Sequence, residues 1–423
     1  MKKLFILFSI IIFVQQKSIA QNDVSPYSII GVGDIQQSTF DRSSGMGNTG
    51  LSLSSSRFMY HANPASYSKL ADHYFSMEVT MRYKDVTYRG NNITIDNNRS
   101  TDFSVEKFAV AIKLRPKWAA SLGLMPFSTS NYSFYSTKNI QGSDHYAPAY
   151  YEGNGGLNQI YLSNAFTIAK NVRLGLQSTV LFGNFTQKET FYTDSIGLTS
   201  APIITTNQFY TSKIYFKAGW QYDLKLNKNW SMSVGAVAAR KTNLNANYTV
   251  TVSQDSGTIV TKESLKTNYF TIPTIYGGGI SMVHKDKFTV SVDYQRQLWS
   301  NLQYRGLNYE LLNSTRISGG VEYSHKSWYK GVSFEKYYIQ GGYYYNNSYL
   351  KINGVQLKDY AVTAGIGFNM KGTEFGKDLS YQFNLGVGTR GTTKNNLIRE
   401  NYVQASITLL YRDFWFTRAK KYF

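Results

Sequence analysis

The residues able to do chemistry are few and scattered. The 423-residue chain holds five histidines, His61, His73, His145, His284 and His325, and no cysteine. None stands in a His-Glu-x-x-His or similarly close spacing, so no metal site and no cofactor is expected. Glu152-Gly153-Asn154-Gly155-Gly156 is glycine-rich but lacks the Gly-x-x-x-x-Gly-Lys-Ser/Thr loop that cradles phosphates, and reads as a flexible loop or a bulge. A Gly-x-Ser-x-Gly nucleophile elbow does not occur. Glu78, Asp223, Asp293 and Glu322 could pair for acid–base work. Ion pairing with Arg82, Lys113, Lys217 or Arg390 is the simpler use of them. No enzyme is expected.

Those carboxylates lie on one face of alternating segments, and the segments define the fold. In 74–84, Phe75, Met77, Val79, Met81 and Tyr83 share one face. Ser76, Glu78, Thr80, Arg82 and Lys84 share the other. Ile214, Phe216, Ala218, Trp220, Tyr222 and Leu224 oppose Tyr215, Lys217, Gly219, Gln221 and Asp223 in the same way, and Phe288, Val290, Val292 and Tyr294 oppose Thr289, Ser291, Asp293 and Gln295. The polar face mixes both charge signs with glycine, which suits a wet or plugged lumen better than a dry sandwich core. About fourteen such segments recur, centred near 79, 109, 123, 163, 180, 219, 238, 276, 293, 318, 340, 364, 385 and 406. Short turns, such as Arg115-Pro116-Lys117, Ala169-Lys170-Asn171, Asn227-Lys228-Asn229 and His284-Lys285-Asp286, alternate with long connections near 89–102, 135–156, 192–210, 251–267 and 299–313. The connections near 324–332 and 370–378 are longer than the short set prefers. This layout predicts an all-β fold, a transmembrane antiparallel β-barrel of about 14 strands spanning 74–423, with the short turns and the C-terminus on the periplasmic side of the cell outer membrane.

The ends and the composition agree with export. Lys2 and Lys3 precede the apolar run Leu4 to Val14, and Ser18-Ile19-Ala20 offers a cleavage site, so residues 1–20 read as a signal peptide. Eleven apolar residues are too few to span a bilayer as a helix, and no longer run follows. No cysteine follows the cut, so no lipid attachment there and no disulfide framework is expected. Aromatic residues are 16% of the chain, with 35 tyrosines, an excess that interfacial girdles would use. The formal charge is +19, and +16 without Lys2, Lys3 and Lys17. An exported chain meets little nucleic acid, so outer-membrane lipid and lipopolysaccharide are the expected partners and nucleic acid is not.

Residues 21–73 lack the strand pattern. Ile29, Ile30, Val32, Leu51, Leu53, Phe58 and Met59 are too apolar for a solvated tail, and a fourteen-stranded barrel has room for a plug. Gly45-Met46-Gly47, followed by Asn63-Pro64-Ala65 just before the first long strand, resembles the FadL-type family of outer-membrane transporters for long-chain fatty acids and other hydrophobic compounds. The chain is similar to a divergent branch that includes barrel components of the type IX secretion system. The resemblance implies an N-terminal hatch, residues 21–73, inside the lumen, with Gly45, Met46, Gly47, Asn63, Pro64 and Ala65 as its motif. It also implies a third strand that kinks inward and opens the wall. Pro126, in Ala120-Ser121-Leu122-Gly123-Leu124-Met125-Pro126-Phe127, lies where that kink would sit. It could equally end the membrane part of the strand and begin a loop, because proline removes a ladder donor either way. Two functions follow. One is passive uptake of a hydrophobic small-molecule ligand past the hatch, with Asn63-Pro64-Ala65 lining the inner end of an opening beside Pro126. The other is a structural subunit of an outer-membrane protein secretion or barrel-assembly complex, docked to other outer-membrane proteins.

Overall fold

The computed structural model describes residues 25–90, 93, 98–139, 146–192, 201–255, 257–302, 309–329, 332–371 and 378–414. The expected signal peptide and the terminal Tyr422-Phe423 lie outside these residues. Fourteen antiparallel strands cross the wall. They are β1 Tyr74–Gly90, β2 Arg99–Arg115, β3 Trp118–Thr129 continued by Tyr132–Asn139, β4 Tyr146–Ala169, β5 Val172–Phe191, β6 Ile203–Lys225, and β7 Trp230–Ala239 continued by Thr242–Gln254. Then follow β8 Gly257–Ile272 continued by Ile275–His284, β9 Phe288–Gln297, β10 Ser314–Tyr329, β11 Val332–Ile352, β12 Val355–Lys371, β13 Asp378–Gly391 and β14 Ile398–Phe414. β14 pairs with β1 along its length, Ile398 opposite Gly90 and Phe414 opposite Tyr74, which closes the ring. No helix among the described residues is long and apolar enough to cross a membrane. A closed ladder does so because its backbone groups are satisfied within the sheet.

The period-two pattern sets the faces. Phe288, Val290, Val292 and Tyr294 of β9 are 41–54% exposed on the outer surface, while Asp293 between them is 5% exposed. In β1, Met77, Met81 and Tyr83 are exposed and Ser76, Glu78, Thr80 and Arg82 are buried. Val290 stands opposite Met282 of β8 and Val321 of β10, both exposed, so its neighbours continue an apolar band. Val290→Arg should cost about 2–4 kcal/mol if the site lies near the bilayer midplane. Its unfolding midpoint in lipid should fall accordingly, and an unchanged midpoint would mean that the faces are reversed.

Several connections are shorter than expected. The stretch near 251–267 is a hairpin in which Gln254 pairs with Gly257 and Thr249 with Glu263. Within 135–156, Tyr132–Asn139 pairs with the start of β4, and Glu152 to Gly156 lie inside that strand rather than in a loop. Gly155 has φ +106° there, a bulge-like conformation that favours glycine. β10 reaches Tyr329 and β11 starts at Val332, so the connection near 324–332 is tight. These strands run beyond the apolar band. A strand that has water on one or both faces need not alternate apolar and polar residues, so periodicity underestimates its length.

The wall has a seam between β2 and β3. Their pairing runs only from Arg115 opposite Trp118 to Phe108 opposite Leu124. Leu122 and Leu124 are exposed outward, but Phe127 and Ser128 are both buried, so the alternation breaks just after Pro126. The register against β4 shifts between Pro126 and Ser128. β3 continues past this point without a loop. Its freed edge pairs instead with the short strand Asp34–Ile35, Asp34 opposite Thr129 and Ile35 opposite Ser128. Gln36 N adds a hydrogen bond to Phe127 O at 2.9 Å. Among the described residues the β2–β3 ladder ends at Phe108 opposite Leu124.

Candidate functional site

Residues 25–73 pack against the inward-facing side chains of the wall through three short 3₁₀ helices, Pro26–Ile29, Arg42–Met46 and Pro64–Lys69. Asp41 starts the second. Its Oδ1 accepts from Ser43 N at 2.8 Å, and its Oδ2 accepts from His61 N at 2.8 Å. Gly47 ends it at φ +70°, a left-handed conformation that favours glycine. Thr363 of β12 reads both glycines of the motif: Gly47 N donates to its Oγ1 at 2.8 Å, and Oγ1 donates to Gly45 O at 3.0 Å. Arg316 Nη2 donates to Gly47 O at 3.3 Å. Met46 is buried against Gly320 and Gly342, where a Cβ on either glycine would meet the Met46 backbone.

Asn63 starts the third helix. Its Oδ1 accepts from Ala65 N at 3.0 Å, with Pro64 at the first helical position. Its Nδ2 donates to Leu51 O at 2.7 Å, Trp220 O at 3.0 Å and Ala236 O at 3.3 Å, tying the segment to β6 and β7. Pro64 and Ala65 lie on Gly175 and Gly219. The wall glycines come as facing pairs, Gly175 with Gly219, Gly235 with Gly279, and Gly320 with Gly342. Each pair removes two side chains from one spot and lets a backbone lie flat on the wall. The sequence signal was an inward-facing glycine in neighbouring strands, visible only once the register is known.

The two motifs therefore meet different parts of the wall, Gly45-Met46-Gly47 at β10 to β12 and Asn63-Pro64-Ala65 at β5 to β7. A cavity of about 170 Å³ lies inside the wall, and Met125, Phe127, Ile35, Gln36, His61 and Ala62 are among the residues that line it. Asn63, Pro64 and Ala65 are not among the lining residues. Asn63 is turned toward β6 and β7 by its carbonyl acceptors. Asn63→Ala should remove its three donor contacts, leaving Gln221 Nε2 on Leu51 O at 3.0 Å, and weaken docking by about 1–3 kcal/mol. Limited proteolysis of the folded barrel should then cut residues 25–73 sooner than in the wild type. Unchanged cleavage would show that Asn63 does not anchor.

The inward carboxylates serve the same docking, with partners other than those expected. Arg42 lies between Phe58 and Tyr338, 4.2 and 3.9 Å from the ring centres. It donates to Glu322 of β10 at 2.6 and 2.9 Å and to Glu335 of β11 at 2.7 and 2.8 Å. Asp293 accepts from Gly50 N at 2.6 Å and Leu51 N at 2.9 Å. Asp223 pairs with Arg173, and with Lys69 at 2.9 Å. Glu78 pairs with Lys107, and both are fully buried. Of the expected cations, Arg82 turns to Asp102 and Glu106. Lys113 reaches Ser68 O, Lys217 the carbonyls of His61 and Ala62, and Arg390 Asp34. The expected pairings considered wall residues alone, whereas the N-terminal segment brings its own charges and backbone groups.

His61 is at the centre of a buried polar cluster. Its Nδ1 is 2.7 Å from Tyr67 Oη and 2.9 Å from Tyr161 Oη, and its Nε2 is 3.6 Å from Glu78. Burial first, and the nearby Lys107 ammonium second, hold its pKa below the ordinary value, so the ring is neutral and Nδ1 can accept from the tyrosines. Among the described residues no cluster of three or more histidines and carboxylates could hold a metal ion.

The molecule is a closed fourteen-stranded antiparallel barrel, similar in fold to FadL-like barrels. The chain belongs to the BamG family, whose model matches residues 1–422. A Pseudomonas aeruginosa FadL homologue is similar in structure, with TM-score 0.60 at 12% identity over 91% of this chain and 100% of that one. The Ralstonia pickettii toluene transporter TbuX gives 0.56 at 16% over 88% and 97%. The Pseudomonas putida toluene transporter TodX gives 0.57 at 14% over 91% and 100%. At such identities the likeness is one of fold. No curated protein matches the sequence.

Proposed function

We propose that this barrel is a structural subunit of an outer-membrane machine, of the protein secretion or barrel-assembly kind, in which residues 25–73 act as a fixed plug and the wall docks other outer-membrane proteins. The observation that carries this reading is how the inner wall is used. Glu322, Asp293, Arg316, Lys217 and Thr363 all hold backbone or charge of the N-terminal segment. The cavity that remains, about 170 Å³, is smaller than the roughly 300–1,000 Å³ of ordinary ligand pockets. Lys217, Asp293 and Arg316 border it, which makes it a poor passage for an apolar molecule.

The second reading is passive uptake of a hydrophobic compound, and the seam favours it. The pairing of β2 with β3 ends at Phe108 opposite Leu124, Met125 and Phe127 of β3 line the cavity, and two solved structures of similar fold are toluene transporters. Uptake of a labelled hydrophobic compound separates the two, measured in a deletion strain with and without the restored gene. The docking reading expects equal uptake, and stoichiometric co-purification of the same outer-membrane protein from detergent after cross-linking in intact cells. Uptake above the deletion strain by a barrel that purifies alone would reverse the order of the two readings.

A further inference from the structure

We propose that the short-turn end of the barrel binds anionic phospholipid through a crescent of unpaired bases running from β2 to β9. Four consecutive described short turns supply it. Arg115 and Lys117 flank the β2–β3 turn, Lys170 sits in the β4–β5 turn, Lys228 in the β6–β7 turn, and Lys285 and Lys287 in the β8–β9 turn. All six are exposed. Among the described residues none has a carboxylate within ion-pair distance. The one acid in these turns, Asp286, faces Lys326 at 3.7 Å. The opposite end of the barrel differs. There Arg99 pairs with Asp85, Lys188 with Glu152, Lys138 with Glu189 and Lys351 with Glu310. Several bases at that end are thus paired, whereas the six in these turns are not.

The position of the bases selects the occupant. Each lies close to an outward-facing aromatic ring. Lys117 precedes Trp118, which stacks on Phe166 near Lys170 with ring centres 6.1 Å apart. Lys228 is two residues from Trp230, and Lys287 precedes Phe288, both rings exposed. Aromatic rings of this kind settle at the boundary between acyl chains and headgroups. The turns are only a few residues long, so their bases cannot project far past that boundary and come to rest at headgroup level. An anionic headgroup would meet the base while its acyl chain lies along the ring. A protein partner reaching this belt would have to displace the lipid there first.

The test is quenching of tryptophan fluorescence by brominated lipid, with the purified full-length barrel in bilayers of brominated phosphatidylglycerol or brominated phosphatidylcholine. Trp118 and Trp230 report from the crescent itself. The wild type should favour the anionic lipid by roughly fivefold or more, the order of factor that one base near a charged surface contributes. The preference should shrink as salt rises. The combined variant Arg115→Gln, Lys117→Gln, Lys170→Gln, Lys228→Gln, Lys285→Gln, Lys287→Gln should bind both lipids equally. Arg240→Gln with Lys241→Gln, at the other end, should keep the preference. Equal binding of both lipids by the wild type overturns the proposal, and so does a preference that the six-fold variant retains. The salt titration needs only the wild type, so the proposal is still decided if that variant does not fold.

Discussion

Arg42→Ala should loosen the N-terminal segment by about 3–5 kcal/mol while the barrel stays closed. The guanidinium is 5% exposed and serves Glu322 and Glu335 together. Removing it strands two carboxylates, at 8% and 16% exposure, with only partial substitutes. Gln340 Nε2 remains on Glu322 at 2.6 Å, and Asn369 Nδ2 on Glu335 at 2.9 Å. Neither carries charge. The same change removes the cation between Phe58 and Tyr338, so packing is lost along with pairing. Hydrogen exchange should rise across residues 40–62 and remain low in β10 and β11. Rapid exchange through both strands as well would mean that the segment and the wall unfold as one unit. Unchanged exchange in the segment would show that Arg42 does not hold it.

A loss of similar size is expected for Lys107→Met. Lys107 and Glu78 are both fully buried, and the ammonium also serves the carbonyls of Thr39 and Phe40. Removing the cation leaves Glu78 facing only the neutral His61 at 3.6 Å, which should cost about 3–5 kcal/mol. The double variant Lys107→Met with Glu78→Gln should recover much of that loss, because a buried pair replaced by neutral groups of similar volume is often near neutral. Unfolding midpoints of the two single variants and the double variant give the coupling directly. If the double variant is as unstable as the sum of the singles, the two side chains act independently, and Lys107 holds the segment through the carbonyls alone.

The position of Lys107 links this pair to the seam. It directly precedes Phe108, where the β2–β3 ladder ends. Its side chain bridges the wall to Thr39 and Phe40, a few residues beyond the strand that occupies the freed edge of β3. An open sheet edge at membrane depth is tolerated only where protein or water covers it. Here residues 34–40 form part of that cover, and the Glu78–Lys107 pair fastens them. A variant weakened at this pair is therefore the one in which a hydrophobic compound would first gain passage, if the seam admits any.

The sequence by itself determined the strand count, the two faces of the wall and the closed architecture. Period-two alternation is a local property that burial on one face enforces independently in every strand, so each strand carries its own record of the fold. The centres read near 79 to 406 all fall within the fourteen crossings for this reason. The segment before residue 74 was legible only as apolar, glycine-rich chain with two short motifs. Tertiary structure decided where those motifs lie, because docking depends on register. Gly175 faces Gly219, and Gly320 faces Gly342, through pairings that no single strand reveals. It also decided the ion pairs. Glu322 and Asp293 could be recognised as inward carboxylates from alternation. Their partners, Arg42 and the amides of Gly50 and Leu51, come from more than 240 residues away and meet them only when the segment lies against the wall. At Pro126 the sequence supplied a missing ladder donor and no direction. The partner of the β3 edge beyond it, Asp34–Ile35, came from the tertiary structure, where that edge's backbone groups find a neighbour.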